Sequence, residues 1–121
     1  MTGPIEAAES DRPIRIGNCS GFYGDRASAM ADMARDGGID VLTGDYLAEV
    51  TMLILGKARA KDSSKGYATT FLRHLDTALE HLVANGIRLV VNAGGLNPAG
   101  LAAATRELVE RRGYDPAGRA R

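Results

Sequence analysis

The sequence predicts an α/β fold with a mainly parallel sheet, and three observations predict it. Short β-branched runs alternate with longer stretches of helical periodicity. Each short run leads into a segment dense in glycine, asparagine and aspartate. The last run, Ile87-Arg88-Leu89-Val90-Val91, has the nearly continuous apolar character of a strand buried between helix layers. Together these give a three-layer, Rossmann-like and incomplete fold with element order βαβααβα, joined by right-handed crossovers.

Taken in order, a polar leader over 1–13 precedes the α/β domain over 14–113. Pro13-Ile14-Arg15-Ile16 reads as a short strand that runs into Gly17-Asn18-Cys19-Ser20-Gly21-Phe22-Tyr23-Gly24-Asp25. From Arg26 the apolar positions Ala27, Met30, Ala31 and Ala34 recur at helical spacing, and Gly37-Gly38 supplies the stop. Ile39 to Thr43 is a second strand, and Gly44-Asp45-Tyr46 turns the chain into the helical run Leu47 to Lys57. There Leu47, Val50, Leu53 and Ile54 form a stripe that Met52 and Leu55 broaden, so this helix is expected to be covered on most sides.

Ala58 to Gly66 has no periodicity and reads as an exposed, mobile connection. The pattern Phe71, Leu72, Leu75, Ala78, Leu79, Leu82, Val83 then specifies a helix from Tyr67 that Asn85-Gly86 closes. After the Ile87 to Val91 strand comes a third loop, Asn92-Ala93-Gly94-Gly95-Leu96-Asn97. Asn97 is placed as N-cap and Pro98 as the first helical residue of Pro98 to Arg112, which Gly113 ends. A polar tail occupies 114–121. Three strands fall short of the roughly five or six usual for an open sheet of this class, so an exposed sheet edge and a natural continuation by a further strand are expected.

Composition narrows the function. Lysine plus arginine and aspartate plus glutamate number 15 each, so there is no basic field to hold a nucleic-acid backbone. Cys19 is the single cysteine, which suits a reducing compartment; Met1 to Asp11 lacks the features of an export signal, and a cytoplasmic location is expected. The longest apolar stretch, Val50 to Leu55, is broken by Thr51 and is far below the roughly 20 residues that span a bilayer.

In a parallel sheet the loops that follow the strands all emerge at the carboxyl edge, so those starting at Gly17, Thr43 and Asn92 are expected side by side. Gly17, Asn18, Ser20, Gly21, Gly24, Gly44, Asp45, Asn92, Gly94, Gly95 and Asn97 are the candidate ligand-binding residues. The glycines admit close backbone approach, the short polar side chains orient a ligand, and the helix N-termini behind them favour anions. Turn and cap chemistry accounts for the same residue types, and for Asp45 it predicts a cap on the following helix. Asp45 is also the best single candidate for a general base. The spacing of Gly17, Gly21 and Gly24 matches neither the dinucleotide fingerprint nor the P-loop, so no cofactor is expected. Cys19 is expected to be buried and inert. His74 and His81 lie about 10 Å apart along one helix, so they cannot share a metal, and no metal site is expected.

Three segments together resemble the acyclic terpene utilisation family, AtuA-like: Arg15-Ile16-Gly17-Asn18-Cys19-Ser20-Gly21-Phe22-Tyr23-Gly24-Asp25, Asp40-Val41-Leu42-Thr43-Gly44-Asp45-Tyr46-Leu47-Ala48-Glu49-Val50-Thr51-Met52, and Val91-Asn92-Ala93-Gly94-Gly95-Leu96-Asn97-Pro98. The resemblance covers about Ile14 to Gly113. It implies a cytosolic protein tied to breakdown of acyclic terpenes such as citronellol and geraniol, whose intermediates travel as acyl-CoA thioesters. It also implies that this chain is the N-terminal domain or a fragment of a longer protein, and it assigns no catalytic residue. The expected function is binding of a small anionic ligand, an acyl-CoA or carboxylate, at the loop edge. The alternatives are a noncatalytic accessory subunit acting through the apolar helix from Leu47, or an inactive truncated product. The expected partners are that ligand, and either further copies of the chain or the remainder of the domain.

Overall fold

The computed structural model describes residues 11–115, so most of the expected leader over 1–13 and of the tail over 114–121 lies outside the described residues. Among them the elements run β1 (Ile16–Asn18), α1 (Ala29–Asp36), β2 (Val41–Gly44), α2 (Glu49–Lys61), α3 (Thr70–Ala84), β3 (Arg88–Val91) and α4 (Pro98–Arg111). The α/β class and the order βαβααβα are those expected. The strands stand in the order β1-β2-β3 and both pairings are parallel, with Gly17 opposite Leu42 and Leu42 opposite Leu89.

Each strand is added on the same side of the last, and right-handed crossovers of that kind place α1 and α3 on one sheet face. There α1 and α3 pack against each other, and Asn85 Nδ2 donates to the Ala34 carbonyl at 2.8 Å to tie their ends together. The core lies beneath them: Met30 and Ala34 from α1, Phe71, Leu75, Ala78, Leu79 and Leu82 from α3, and fully buried Leu42 from the central strand. The opposite face is less covered. Ile16, Arg88 and Val90 are exposed, so β3 is buried on one side only, where Leu89 and Val91 meet the core, and not on both as its composition suggests.

Several boundaries move for local reasons. β1 begins at Ile16 rather than Pro13 because Asp40 holds the chain before it: its carboxylate accepts from the Arg15 amide at 2.8 Å and pairs with the Arg12 guanidinium. α2 continues to Lys61 because Ala58, Arg59, Ala60 and Lys61 are good helix formers with no glycine or proline to stop them. The rest of the expected exposed connection is tied down. Gly66 and Ala68 are buried, the Gly66 carbonyl accepts from the Leu96 amide at 2.9 Å, and the Ala68 amide donates to the Ala93 carbonyl at 2.8 Å. Nor is α2 covered on most sides among the described residues. It buries Thr51 and Leu55 and leaves Val50, Leu53 and Ile54 exposed.

Leu42 links both strand pairs to the helix layer, so its side chain should dominate stability. Leu42→Ala is expected to lower the unfolding free energy by about 2–5 kcal/mol, read from urea denaturation curves. An unchanged midpoint would mean that the helices do not close on the central strand.

Candidate functional site

The three loops meet because the backbone ladder carries on past the strands. The Cys19 amide donates to the Thr43 carbonyl at 2.9 Å and the Asp45 amide to the Ser20 carbonyl at 3.0 Å, which joins the first loop to the second. Side chains strengthen the seam. Thr43 Oγ1 donates to the Gly17 carbonyl and lies 3.1 Å from Asn18 Oδ1, Asn18 Nδ2 donates to the Ser20 carbonyl, and Ser20 Oγ donates to the Phe22 carbonyl at 2.7 Å.

Asn92, the first residue after β3, joins the third loop to the second. Its Oδ1 accepts from the Tyr46 amide and its Nδ2 donates to Asp45 Oδ1, both at 2.8 Å. The same Asp45 oxygen accepts from the Leu47 amide at 3.2 Å. Asp45 therefore closes a local turn and does not cap α2, whose N-cap position is Ala48 and carries no side-chain cap. The amide of Asn92 and the backbone of Leu47 both hold the Asp45 carboxyl below the usual carboxylate range. A carboxylate so stabilised is a weak proton acceptor, which makes Asp45 a better hydrogen-bond acceptor than general base.

The candidate residues fall into two groups. Gly17 and Gly44 are buried, with Met33 and Ile39 side chains above the first and the Tyr46 ring above the second. Ser20 is buried as well. Gly94 packs on Pro98, and Gly95 has a positive φ of 54° and lies so close to Leu55 and the Gly66 carbonyl that a Cβ would collide. Asn97 serves α4 as expected: Oδ1 accepts from the Gly100 amide at 3.0 Å, while Nδ2 donates to the Ser64 carbonyl. These residues hold the edge together. Asn18, Gly21, Gly24, Asp45 and Asn92 are the ones the fold leaves exposed on it.

Asp25 belongs to this edge although no sequence motif singled it out. Its carboxylate accepts from the Gly21 and Arg26 amides, each at 2.8 Å, and those two bonds lower its pKa. The backbone donors of the first loop thus already serve the protein's own carboxylate. The local signal is only an aspartate four residues after Gly21 in a glycine-rich turn.

Under the loops lies a buried polar pair. Tyr46 is fully buried and its Oη is 2.7 Å from Nδ1 of His74, which is 4 % exposed, while the Tyr46 ring meets Phe71 edge-on. Burial pushes the Tyr46 hydroxyl up and the His74 imidazole down, so both partners of this hydrogen bond are neutral and its direction follows the histidine tautomer. Cys19 is buried too, and burial raises its thiol pKa, as for an inert cysteine. His74 is buried on the apolar stripe of α3, three residues after Phe71 and four before Ala78.

The family model for the acyclic terpene utilisation family protein AtuA matches residues 14–117, which takes in all three loops and every element around them. The chain belongs to this family. Comparison with the curated proteins and with the solved structures gave no match. Among the described residues of this AtuA-family chain, no helix is long and apolar enough to cross a membrane.

The His74 pair sets a pH dependence. A histidine whose folded pKa is depressed leaves stability intact above its unfolded value of 6.5 and removes it as pH falls from there through the folded value, because the unfolded chain takes up the proton first. The midpoint of thermal unfolding is expected to drop on acidification just below 6.5, and His74→Gln to flatten that step. Equal acid sensitivity in both proteins would show that the imidazole does not titrate against folding.

Proposed function

We propose that the carboxyl edge of this AtuA-family sheet binds a small ligand of acyclic terpene breakdown through Asp45 and Asn92. The reading is carried by one observation: the two side chains are exposed side by side, pre-oriented by their mutual hydrogen bond and by the Tyr46 and Leu47 amides. With Asp45 Oδ1 engaged twice, Oδ2 remains to accept a hydrogen bond from the ligand, and Asn92 Nδ2 retains a second hydrogen to donate. A hydroxyl group answers both, donating to Asp45 and accepting from Asn92. Phe22, half exposed in the first loop, adds apolar surface for the hydrocarbon part of such a ligand.

Charge refines the ligand class. The carboxylates of Asp25 and Asp45 both belong to this edge, so a carboxylate or phosphate placed against them meets like charge. The acid and CoA-thioester ligands that the glycine-rich loops suggest are therefore less well matched than a neutral terpenoid alcohol. The alcohol's hydroxyl is the group the pair is built to hold.

Titration of the chain with citronellol, citronellic acid and the CoA thioester of that acid, followed by amide NMR, tests this. Citronellol is expected to shift the Tyr46 and Asn92 amides, and Asp45→Asn to weaken binding by about tenfold or more, since a hydrogen bond to a charged group is worth about 1.5–3 kcal/mol. Tightest binding by the acid or the thioester would reverse the charge argument. Shifts confined to residues away from the loops would remove the edge as the binding site.

A second reading has its own observation. Val50, Leu53 and Ile54 are 68 %, 60 % and 40 % exposed on α2, the apolar surface a noncatalytic accessory subunit would use to hold a partner or another copy. Leu53→Asp should abolish any self-association measured by analytical ultracentrifugation and leave citronellol binding unchanged. Self-association that survives the substitution would rule out this face.

A further inference from the structure

The exposed side of α2 carries a self-complementary order of charge. Glu49, Leu53 and Lys57 stand four residues apart and all three are exposed. On an α-helix that spacing sets them along one ridge, an acid, a leucine and a base in that order. Val50 and Ile54 form the adjoining ridge, and Leu96 of the third loop, 42 % exposed, lies against Gly56 and widens the apolar patch.

The two ions cannot answer each other within one helix. At a rise of about 1.5 Å per residue they are about 12 Å apart along the axis, and the position between them, where an i,i+4 partner would stand, is the leucine. Among the described residues neither Glu49 nor Lys57 belongs to an ion pair. The helix thus offers an apolar centre flanked by one unpaired acid and one unpaired base, which is the anatomy of an interface with a polar rim.

A second copy of α2 laid antiparallel answers every part of this surface. A two-fold axis at Leu53 brings that leucine onto its own copy and sets Glu49 of each chain level with Lys57 of the other. It also opposes the two helix dipoles, the favourable sense. Other occupants answer less. A membrane surface would attract the lysine and repel Glu49. A different helix fits the acid-leucine-base order only by carrying the same order reversed, which a copy of α2 supplies by itself.

We propose that α2 is a homodimer contact, packed antiparallel on α2 of a second copy about a two-fold axis at Leu53. The proposal rests on the reading of α2 as an association surface and names its partner. Apolar contact supplies the attraction, and the crossed charges fix the direction and register of the two helices.

Cysteine crosslinking tests the register, because Cys19 is the single cysteine and is buried, so an introduced thiol is the exposed one. Leu53→Cys would meet its own copy at the axis, whereas Lys61→Cys would lie about 24 Å from its copy along the helices. Rapid disulfide dimer formation is expected in Leu53→Cys and not in Lys61→Cys; equal rates in both would overturn the antiparallel pairing. Analytical ultracentrifugation of variants that keep the leucine is the second measurement. Glu49→Lys and Lys57→Glu are each expected to weaken dimerisation by about tenfold, since like charges then meet at both ends of the contact, and the double variant to recover it. A double variant no better than the single ones would contradict the crossed pairing. A wild-type chain still monomeric at about 1 mM would overturn the second copy and leave α2 to a different partner, whereas a dimer untouched by Leu53→Asp would overturn the proposal together with the reading on which it rests.

Discussion

The side-chain amide of Asn92 is the interaction on which the arrangement of this edge depends. A parallel ladder brings successive loops to one side of a sheet, but it does not set their positions relative to one another once the strands end. The first and second loops continue the ladder through Cys19, Thr43, Ser20 and Asp45. The third cannot, because β3 ends at Val91 and the chain turns away toward α4. Asn92 replaces the missing ladder by imitating a peptide group, accepting from the Tyr46 amide and donating to Asp45. An aspartate there could accept but not donate, and would set two carboxylates against each other.

That constraint reaches into the core. Tyr46, whose amide Asn92 holds, sends its side chain down to Phe71 and His74 on α3, so the loop edge and the helix layer share one residue. The glycines around it follow from the same crowding: Gly44 lies under the Tyr46 ring, and Gly95 lies against α2 and the segment before α3. The edge is thus held from beneath by packing and from within by hydrogen bonds, which fixes the exposed polar groups of Asp45 and Asn92. Among the described residues, exposed apolar surface lies elsewhere, at Val50, Leu53 and Ile54 on α2 and at Ile16 and Val90 on the outer face of the sheet.

Much of the fold was legible because its signals are local. The stripe of α3 from Phe71 to Val83, the proline and asparagine that open α4, and the alternation of strand and helix all follow from side-chain periodicity and capping, and all stand in the structure. What was not legible depends on partners far away in the chain. Asp40 delays β1 through residues 25 and 28 positions earlier, the 62–69 segment is buried by the third loop, and α2 runs past its apolar stripe. At the site, sequence reasoning could place the three loops together but could not separate packing residues from exposed ones. Gly17, Gly44, Ser20, Gly94, Gly95 and Asn97 have the same composition signature as Asn18, Gly21, Gly24, Asp45 and Asn92. Only their neighbours distinguish them. Asp25 was missed because the bonds it accepts come from backbone, which carries no residue signature.

The most direct test of this account is amide hydrogen exchange at Tyr46 in the wild-type chain and in Asn92→Ala under native conditions. If Asn92 holds the second loop to the third, the Tyr46 amide should lose most of its protection in the variant while the Leu42 and Leu89 amides of the sheet keep theirs. An unchanged exchange rate at Tyr46 would mean that the loops are aligned without this side chain, and the central claim would fall.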